Sequence, residues 1–426
     1  MVKLAINSAH VRAARFGFCA ILGLAVQSCG GGGGAATSGS SSSGGTPPPT
    51  GSNVVSVVVD AGPLPNTNGA VNTLFTTVTV CVPGSTTNCQ TIDHIQVDTG
   101  SYGLRILSSV LTLALHPQTT SNGEAIVECT QFVDGYSWGP VALADMQVSG
   151  ESATSIPVQV IGDPNYATVP LDCSSVGPPE DTVAQFGANG ILGIGFFAQD
   201  CGPNCVGAAQ AATYYACTAS ACQATPLPLA NQVTNPITLF AADYNGVIIQ
   251  LPSVAAGGAA TVTGYMIFGI DTQTNNKSGS QTLLTVAGSA GGTSGQQPGQ
   301  FSTLFNGGTL ADSFVDTGSN GLFFTDTTLP TCTDPSGNNP AITMFYCPPS
   351  IESFTATLEG QNGMSAPVSF SVAAADTLAA SDTAFPNLAG TFTSDLHTFD
   401  WGLPFYYGRK VYTAIESATT APYIAF

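Results

Sequence analysis

The sequence predicts an all-β protein built from two similar halves, and three features carry that expectation. From Val54 onward, short runs rich in β-branched residues, such as 73–82 (TLFTTVTVCV), 92–97, 157–161 and 369–372, alternate with turn residues. Asn-Gly pairs, which suit tight hairpin turns, begin at Asn68, Asn122, Asn189, Asn245, Asn306, Asn320 and Asn362. An internal repeat adds the third observation: VDTGSYGL at 97–104 returns as VDTGSNGL at 315–322, identical at seven of eight positions, with its aspartates 218 residues apart. Agreement over that length points to duplication, with one Asp of each half on a strand-to-turn corner.

Composition narrows the function classes. The 426 residues hold 7 Lys+Arg against 26 Asp+Glu, a formal charge of −19, with 43% hydrophobic and only 8% charged residues. So few cations cannot neutralise a run of phosphates, which excludes nucleic acid and disfavours anionic membrane surfaces. Disorder requires low hydrophobicity with dense charge, and this chain has neither.

In chain order, the first element is an address. Lys3, Arg12 and Arg15 precede the apolar run FGFCAILGLAV, which is too short to span a bilayer but suits the core of a signal peptide. Residues 1–28 are therefore expected to be removed on export, leaving four cations against 26 acids, a balance of −22. That balance suits an acidic or cation-rich space. Residues 29–53, dominated by Gly, Ser and three consecutive Pro, read as a flexible tether. Residues 54–265 and 266–426 then form the two halves. Within the first, LRILSSVLTLAL after Gly103 is the one stretch whose pattern suits a short helix.

Ten cysteines remain once Cys19 leaves with the leader and Cys29 is set aside, and an even number in an oxidising compartment predicts five disulfides. Proximity pairs Cys81 with Cys89 and Cys332 with Cys347. Two bridges fall among Cys201, Cys205, Cys217 and Cys222, and Cys129 joins Cys173 by elimination. Zinc is the competing reading of the 201–222 cluster, weakened by the lack of a nearby His.

The repeated corner has chemical meaning. Two carboxylates brought together cannot both ionise, so one keeps a proton while the other is a base. Water held between them can then be deprotonated and driven into an amide carbonyl. The glycine permits close backbone approach, the Thr hydroxyls can brace one corner against the other, and the Ser hydroxyls can donate to the outer carboxylate oxygens. A Ser-His-Asp triad has no support: His94, His116 and His397 are isolated, and no GxSxG occurs. The ILGIG stretch has too few glycines for a dinucleotide loop.

On these residues the chain resembles the pepsin-like aspartic peptidases. Gly190-Ile191-Leu192-Gly193-Ile194-Gly195 is similar to the element that follows the first aspartate and supports its loop, and 266–271 (MIFGID) to the strand leading into the second lobe. The segment WGLPFYYGRKVYTAIESATTAPYIAF resembles the closing strands, although Asp400-Trp401 stand where the family has an apolar pair before Gly402. The chain is also similar to a family of exported bacterial proteins that share paired DTGS corners and have no assigned function. Val26-Gln27-Ser28-Cys29 resembles the lipobox of bacterial lipoproteins, in which the cysteine is lipidated; ordinary secretion is the alternative.

The resemblance implies a bilobal pepsin-like fold with a cleft between the lobes. It makes Asp98 and Asp316 catalytic, supported by Thr99, Gly100, Ser101, Thr317, Gly318 and Ser319. Residues 132–148 align with the family's substrate-covering hairpin, which puts Phe132 where a Tyr is usual, with Tyr136 and Trp138 as alternatives. Arg105 takes the place of a common Trp seven residues after Asp98, either facing the dyad or pairing with a surface acid. The expected activity is endopeptidase hydrolysis of a peptide or protein, by a monomer that uses no cofactor or metal. Cys29 would anchor it in the envelope, with Gly30 favouring the outer membrane. Because 30–53 contains no Lys or Arg, the family's basic propeptide is missing, and an enzyme would be made active or controlled by pH. Two other readings are a catalytically inactive envelope binding lipoprotein of the same fold and a carbohydrate- or surface-binding β protein.

Overall fold

A computed structural model describes residues 48–63, 69–292, 295–337, 339–392 and 395–426. The leader, Cys29 with its lipobox, most of the tether, and Asn68 lie outside the described residues. Among the described residues the protein is all-β: twenty-two strands are joined by turns and helices of three to five residues. The strands form one 15-stranded and one 7-stranded sheet. No helix in this part is long and apolar enough to cross a membrane.

The duplicated sequence is also a duplicated topology. Strand Cys89–Asp98 runs parallel to Gly190–Ile194, which lies antiparallel to Tyr102–Leu107. In the other sheet Gly308–Val315 runs parallel to Phe399–Trp401, which lies antiparallel to Leu322–Phe324. Each third strand gains a further parallel neighbour, Glu151–Ile161 for Tyr102–Leu107 and Ala389–Gly390 for Leu322–Phe324. Tyr102–Leu107, Gly190–Ile194 and Leu322–Phe324 are covered on both faces, so they are buried without alternation, and Arg105 is the one charged residue among them. Each aspartate thus stands at the buried end of a strand, one in each sheet: Asp98 closes Cys89–Asp98 and Asp316 directly follows Gly308–Val315.

The expected helix after Gly103 is not formed. Tyr102–Leu107 is a strand with all six residues buried, and a turn follows at 108–110. The apolar run suits either element locally; strand neighbours on both edges decide it, pairing Leu104 with Leu192 and Ile106 with Val160. The Asn-Gly pairs divide. Asn306-Gly307, at φ 49 and 78°, closes the hairpin between Phe301–Phe305 and Gly308–Val315. Asn189 and Asn245 instead lead directly into strands.

All five expected disulfides are present, and the central cluster resolves as Cys201–Cys205 and Cys217–Cys222. Cys129–Cys173 ties a hairpin to the segment that covers it. Five bridges fit an exported protein folded in an oxidising compartment. Asn72 links distant chain segments: its amide donates to the carbonyls of Asn320 (2.7 Å) and Phe385 (2.8 Å), while its oxygen accepts from Phe385 N (2.7 Å) and Tyr407 Oη (2.9 Å). One apolar cluster reaches from Val97 and Leu192 to Phe324, Phe399 and Trp401, so both corners rest on a continuous core.

Candidate active site

The two corners meet. Thr99 N donates to Thr317 Oγ1 (3.1 Å), and Thr317 N donates to Thr99 Oγ1 (3.0 Å), a reciprocal pair that locks the turns together. Within each turn the pattern repeats. Gly100 N donates to Asp98 Oδ1 and Gly318 N to Asp316 Oδ1, both at 2.7 Å. Ser101 Oγ donates to Asp98 Oδ2 (2.5 Å) and Ser319 Oγ to Asp316 Oδ2 (2.8 Å). The inner oxygens therefore face each other, and the Asp98 and Asp316 carboxyls share a hydrogen bond.

Glycine is required on both sides of this contact. A Cβ at Gly100 would stand 2.7 Å from Asp316 Oδ1, and one at Gly318 would stand 2.7 Å from Asp98 Oδ1. Any larger residue would push the carboxyls apart.

The symmetry ends one shell out. Thr317 Oγ1 also donates to the Val97 carbonyl (2.8 Å), whereas Thr99 Oγ1 pairs with Tyr406 Oη (3.1 Å). Gln96 crosses from the first strand to the Gly318 carbonyl (3.3 Å). Behind the first corner stands Ile191; its counterpart behind the second is Asp400, fully buried beside Ser319. Sequence reasoning missed Tyr406 altogether, because nothing in its local pattern distinguishes it from a core aromatic. Asp400 left a visible sign as the one acid in an apolar pair.

Burial sets the electrostatics. Asp98, Asp316, Thr317, Ser319 and Asp400 are each 0% exposed. Burial first, then the charges of Asp98 and Asp400, push the Asp316 carboxyl well above the ordinary range, and the Ser319 hydroxyl only partly offsets them. The pair therefore holds a proton, and Asp316 is the member whose ionisation is held back. Asp400 is likewise pushed well above its ordinary value by burial, with Asp98 adding to the effect.

The remaining expected site residues lie in other clusters. The hairpin formed by Ala125–Gln131 and Tyr136–Val148 has its tip closed by Phe132 N to the Gly135 carbonyl (2.7 Å). Phe132 packs edge-on against Phe186, while Trp138 packs against Tyr215 and donates to the Tyr166 carbonyl (2.8 Å). Tyr136 exchanges backbone bonds with Pro178 and Glu180. All three aromatics are buried, and the contacts described here attach this hairpin to segment 164–187.

Arg105 is neither beside the dyad carboxyls nor on the surface. It is 1% exposed and bonds Glu128 (2.6 Å), Asp200 (3.1 Å), the Tyr102 carbonyl (2.7 Å) and Thr130 (3.0 Å). The expected pairing with an acid is found, but in the interior, because strand Tyr102–Leu107 is covered on both faces. These acceptors take four of the five guanidinium N–H donors, and burial keeps the group from the surface.

Residues 49–426 match the model of a family described as "Protein of unknown function (DUF3443)", and the chain belongs to that family. No curated protein matches it.

Proposed function

Family membership assigns no activity, so from the corner geometry we propose that this protein is an aspartic-type endopeptidase with Asp98 and Asp316 as its catalytic pair. The reciprocal Thr99–Thr317 bonds carry the reading, because they hold two acids in contact where one proton must be shared. In the proposed reaction Asp98 serves as the base and takes a proton from water as the water oxygen bonds to the scissile carbonyl carbon. Asp316 gives its proton to the carbonyl oxygen. The tetrahedral diol then collapses, the C–N bond breaks, and the amine leaves with a proton returned through the pair. The duplicated topology supports a bilobal pepsin-like arrangement of residues 54–265 and 266–426, and the hairpin at 125–148 takes the place of a substrate cover. On the same reading the chain acts as a monomer on peptide or protein, anchored through Cys29 in the cell envelope, with the outer membrane as its site.

A second reading has its own observation. Both aspartates are fully buried, which favours a pepsin-like envelope binding lipoprotein that has lost turnover. The test is incubation of purified protein with denatured protein substrate from acidic to neutral pH, beside the Asp98→Asn variant and a statine-type inhibitor. Cleavage lost in the variant and blocked by the inhibitor supports the peptidase. Wild type as inert as the variant at every pH, with the inhibitor still bound, supports the binding protein.

A further inference from the structure

We propose that Asp400 is a positioning residue of the second corner, acting through Ser319 to set the pH range over which Asp316 works. The inference rests on the peptidase reading of the two corners. Its starting point is a difference in charge between the duplicated frames that lies directly behind the corners. Opposite Val97 and Val315 the supporting strands place Leu192 and Trp401, and the preceding residues are Ile191 and Asp400. Ser101 therefore has a hydrocarbon in the position behind it, and Ser319 has a carboxyl.

A serine hydroxyl has one proton to donate. In Ser319 that proton is given to Asp316 Oδ2. No donor lies within hydrogen-bonding geometry of either Asp400 oxygen, although the Ser319 hydroxyl stands near enough to offset part of the burial that pushes Asp400 up. A fully buried carboxylate without a donor is strongly disfavoured, whereas a carboxylic acid brings its own proton and can place it on the Ser319 lone pair. The chain then reads Asp400 to Ser319 to Asp316, each donating to the next. When Asp400 ionises, the stronger acceptor lies on its side, and the Ser319 proton turns away from Asp316. Asp316 loses its outer donor and gains a second negative charge behind it, so it holds the shared proton more tightly and the pair stops cycling.

The titratable groups facing Asp400 fit this arrangement. Among the described residues they are Asp98 and Asp316 from the two corners and the Tyr406 hydroxyl from the turn Leu403–Tyr406, with no cation among them. Nothing opposite in sign holds Asp400 ionised.

The experiment combines a carboxyl titration with a rate profile. Protein labelled with ¹³C at the aspartate carboxyls is titrated by NMR, with the dyad signals assigned by their loss in Asp98→Asn and Asp316→Asn. Hydrolysis of denatured protein is followed over the same pH range. In wild type the dyad signals are expected to show a late step at the alkaline end. Asp400→Asn, which keeps the shape and a donor but cannot ionise, should abolish that step. It should also move the alkaline limb of hydrolysis up by about one pH unit. Ser319→Ala should uncouple the step from the Asp316 signal. An Asp400→Asn protein whose titration and rate profile both match wild type overturns the proposal; Asp400→Ile, which copies the first corner, is a harsher check that need not fold. If wild type is inert throughout and the late step still vanishes in Asp400→Asn, the peptidase reading falls and the coupling stands.

Discussion

Two buried clusters of charge lie in the first half's sheet and at its junction with the second, and they are neutralised by different means. Around Arg105, the guanidinium meets Glu128 and Asp200, with Tyr214 Oη donating to Asp200 Oδ1 at 2.6 Å. Burial works against the charge of Arg105, but Glu128 and Asp200 together hold it more firmly protonated than usual. Around the corners, Asp98, Asp316 and Asp400 meet with no cation among the described residues. The first cluster keeps its cation over the whole working pH range because arginine does not deprotonate, even though burial and Glu128 push its acid Asp200 upward. A cluster of acids is neutral only while it holds protons, and those protons can move. The difference separates a strut from a site that can do acid–base chemistry.

The largest expected effect removes the mobile proton's acceptor. Asp98→Asn replaces the base by an amide of the same shape, so hydrolysis should fall by about 10³-fold or more while the fold is retained. Rate assays beside circular dichroism check this, and a variant that is folded and fully active would end the distinction between the clusters. Next in size is the strut. Arg105→Met leaves the buried Glu128 and the part-buried Asp200 without their cation and should cost about 3–5 kcal/mol in denaturant unfolding. A loss below ~1 kcal/mol would show that these acids simply take up protons, as the dyad does.

The sequence revealed the site more fully than the strut, for a physical reason. Asp98, Thr99, Gly100, Ser101 and their counterparts are adjacent in the chain, so a duplicated octapeptide exposed the whole constellation. The bonds from Gly100 N to Asp98 and from Gly318 N to Asp316 are local to each turn, whereas the Thr99–Thr317 bonds form only where the fold brings the two turns together. Arg105, Glu128 and Asp200 are separated by 23 and 72 residues, and only the pairing of Tyr102–Leu107 with its neighbours brings their region together. The same non-local pairing turned the helix-like stretch after Gly103 into a strand. Tyr406 reaches Thr99 across 307 residues, beyond any local pattern. The disulfides were legible where spacing was short, and the 201–222 cluster needed the structure to choose its partners.

A smaller effect probes how the strut is braced. Tyr214 Oη donates to Asp200 and accepts from Val233 N at 2.8 Å, so Tyr214→Phe strands a buried amide and removes a donor from an acid. The expected cost is about 1–2 kcal/mol, read by denaturant unfolding. Because burial and Glu128 already push Asp200 upward, loss of the hydroxyl should raise it further. The deficit should therefore grow as pH rises through the range in which Asp200 ionises. A deficit constant across pH would mean that Asp200 stays ionised and belongs wholly to the ion pair.

The smallest effect has the opposite sign and sets the two clusters apart most directly. Asp316 ionises in the folded state well above its unfolded value, so the folded protein binds more protons between those two values. Stability contributed by the group is then complete below the unfolded value and is lost as pH rises through the folded one. Glu151, Asp312 and Asp400 are shifted in the same direction, chiefly by burial, so wild-type stability should be highest at acidic pH and decline toward neutrality. Asp316→Asn cannot ionise and should gain about 1 kcal/mol over wild type at neutral pH, with no gain at pH values where the unfolded aspartate is already protonated. Thermal melts of the two proteins across that range measure the gain directly. A variant destabilised equally at every pH would mean that Asp316 is held as a charge. The proposed catalytic acid would then have no proton to give.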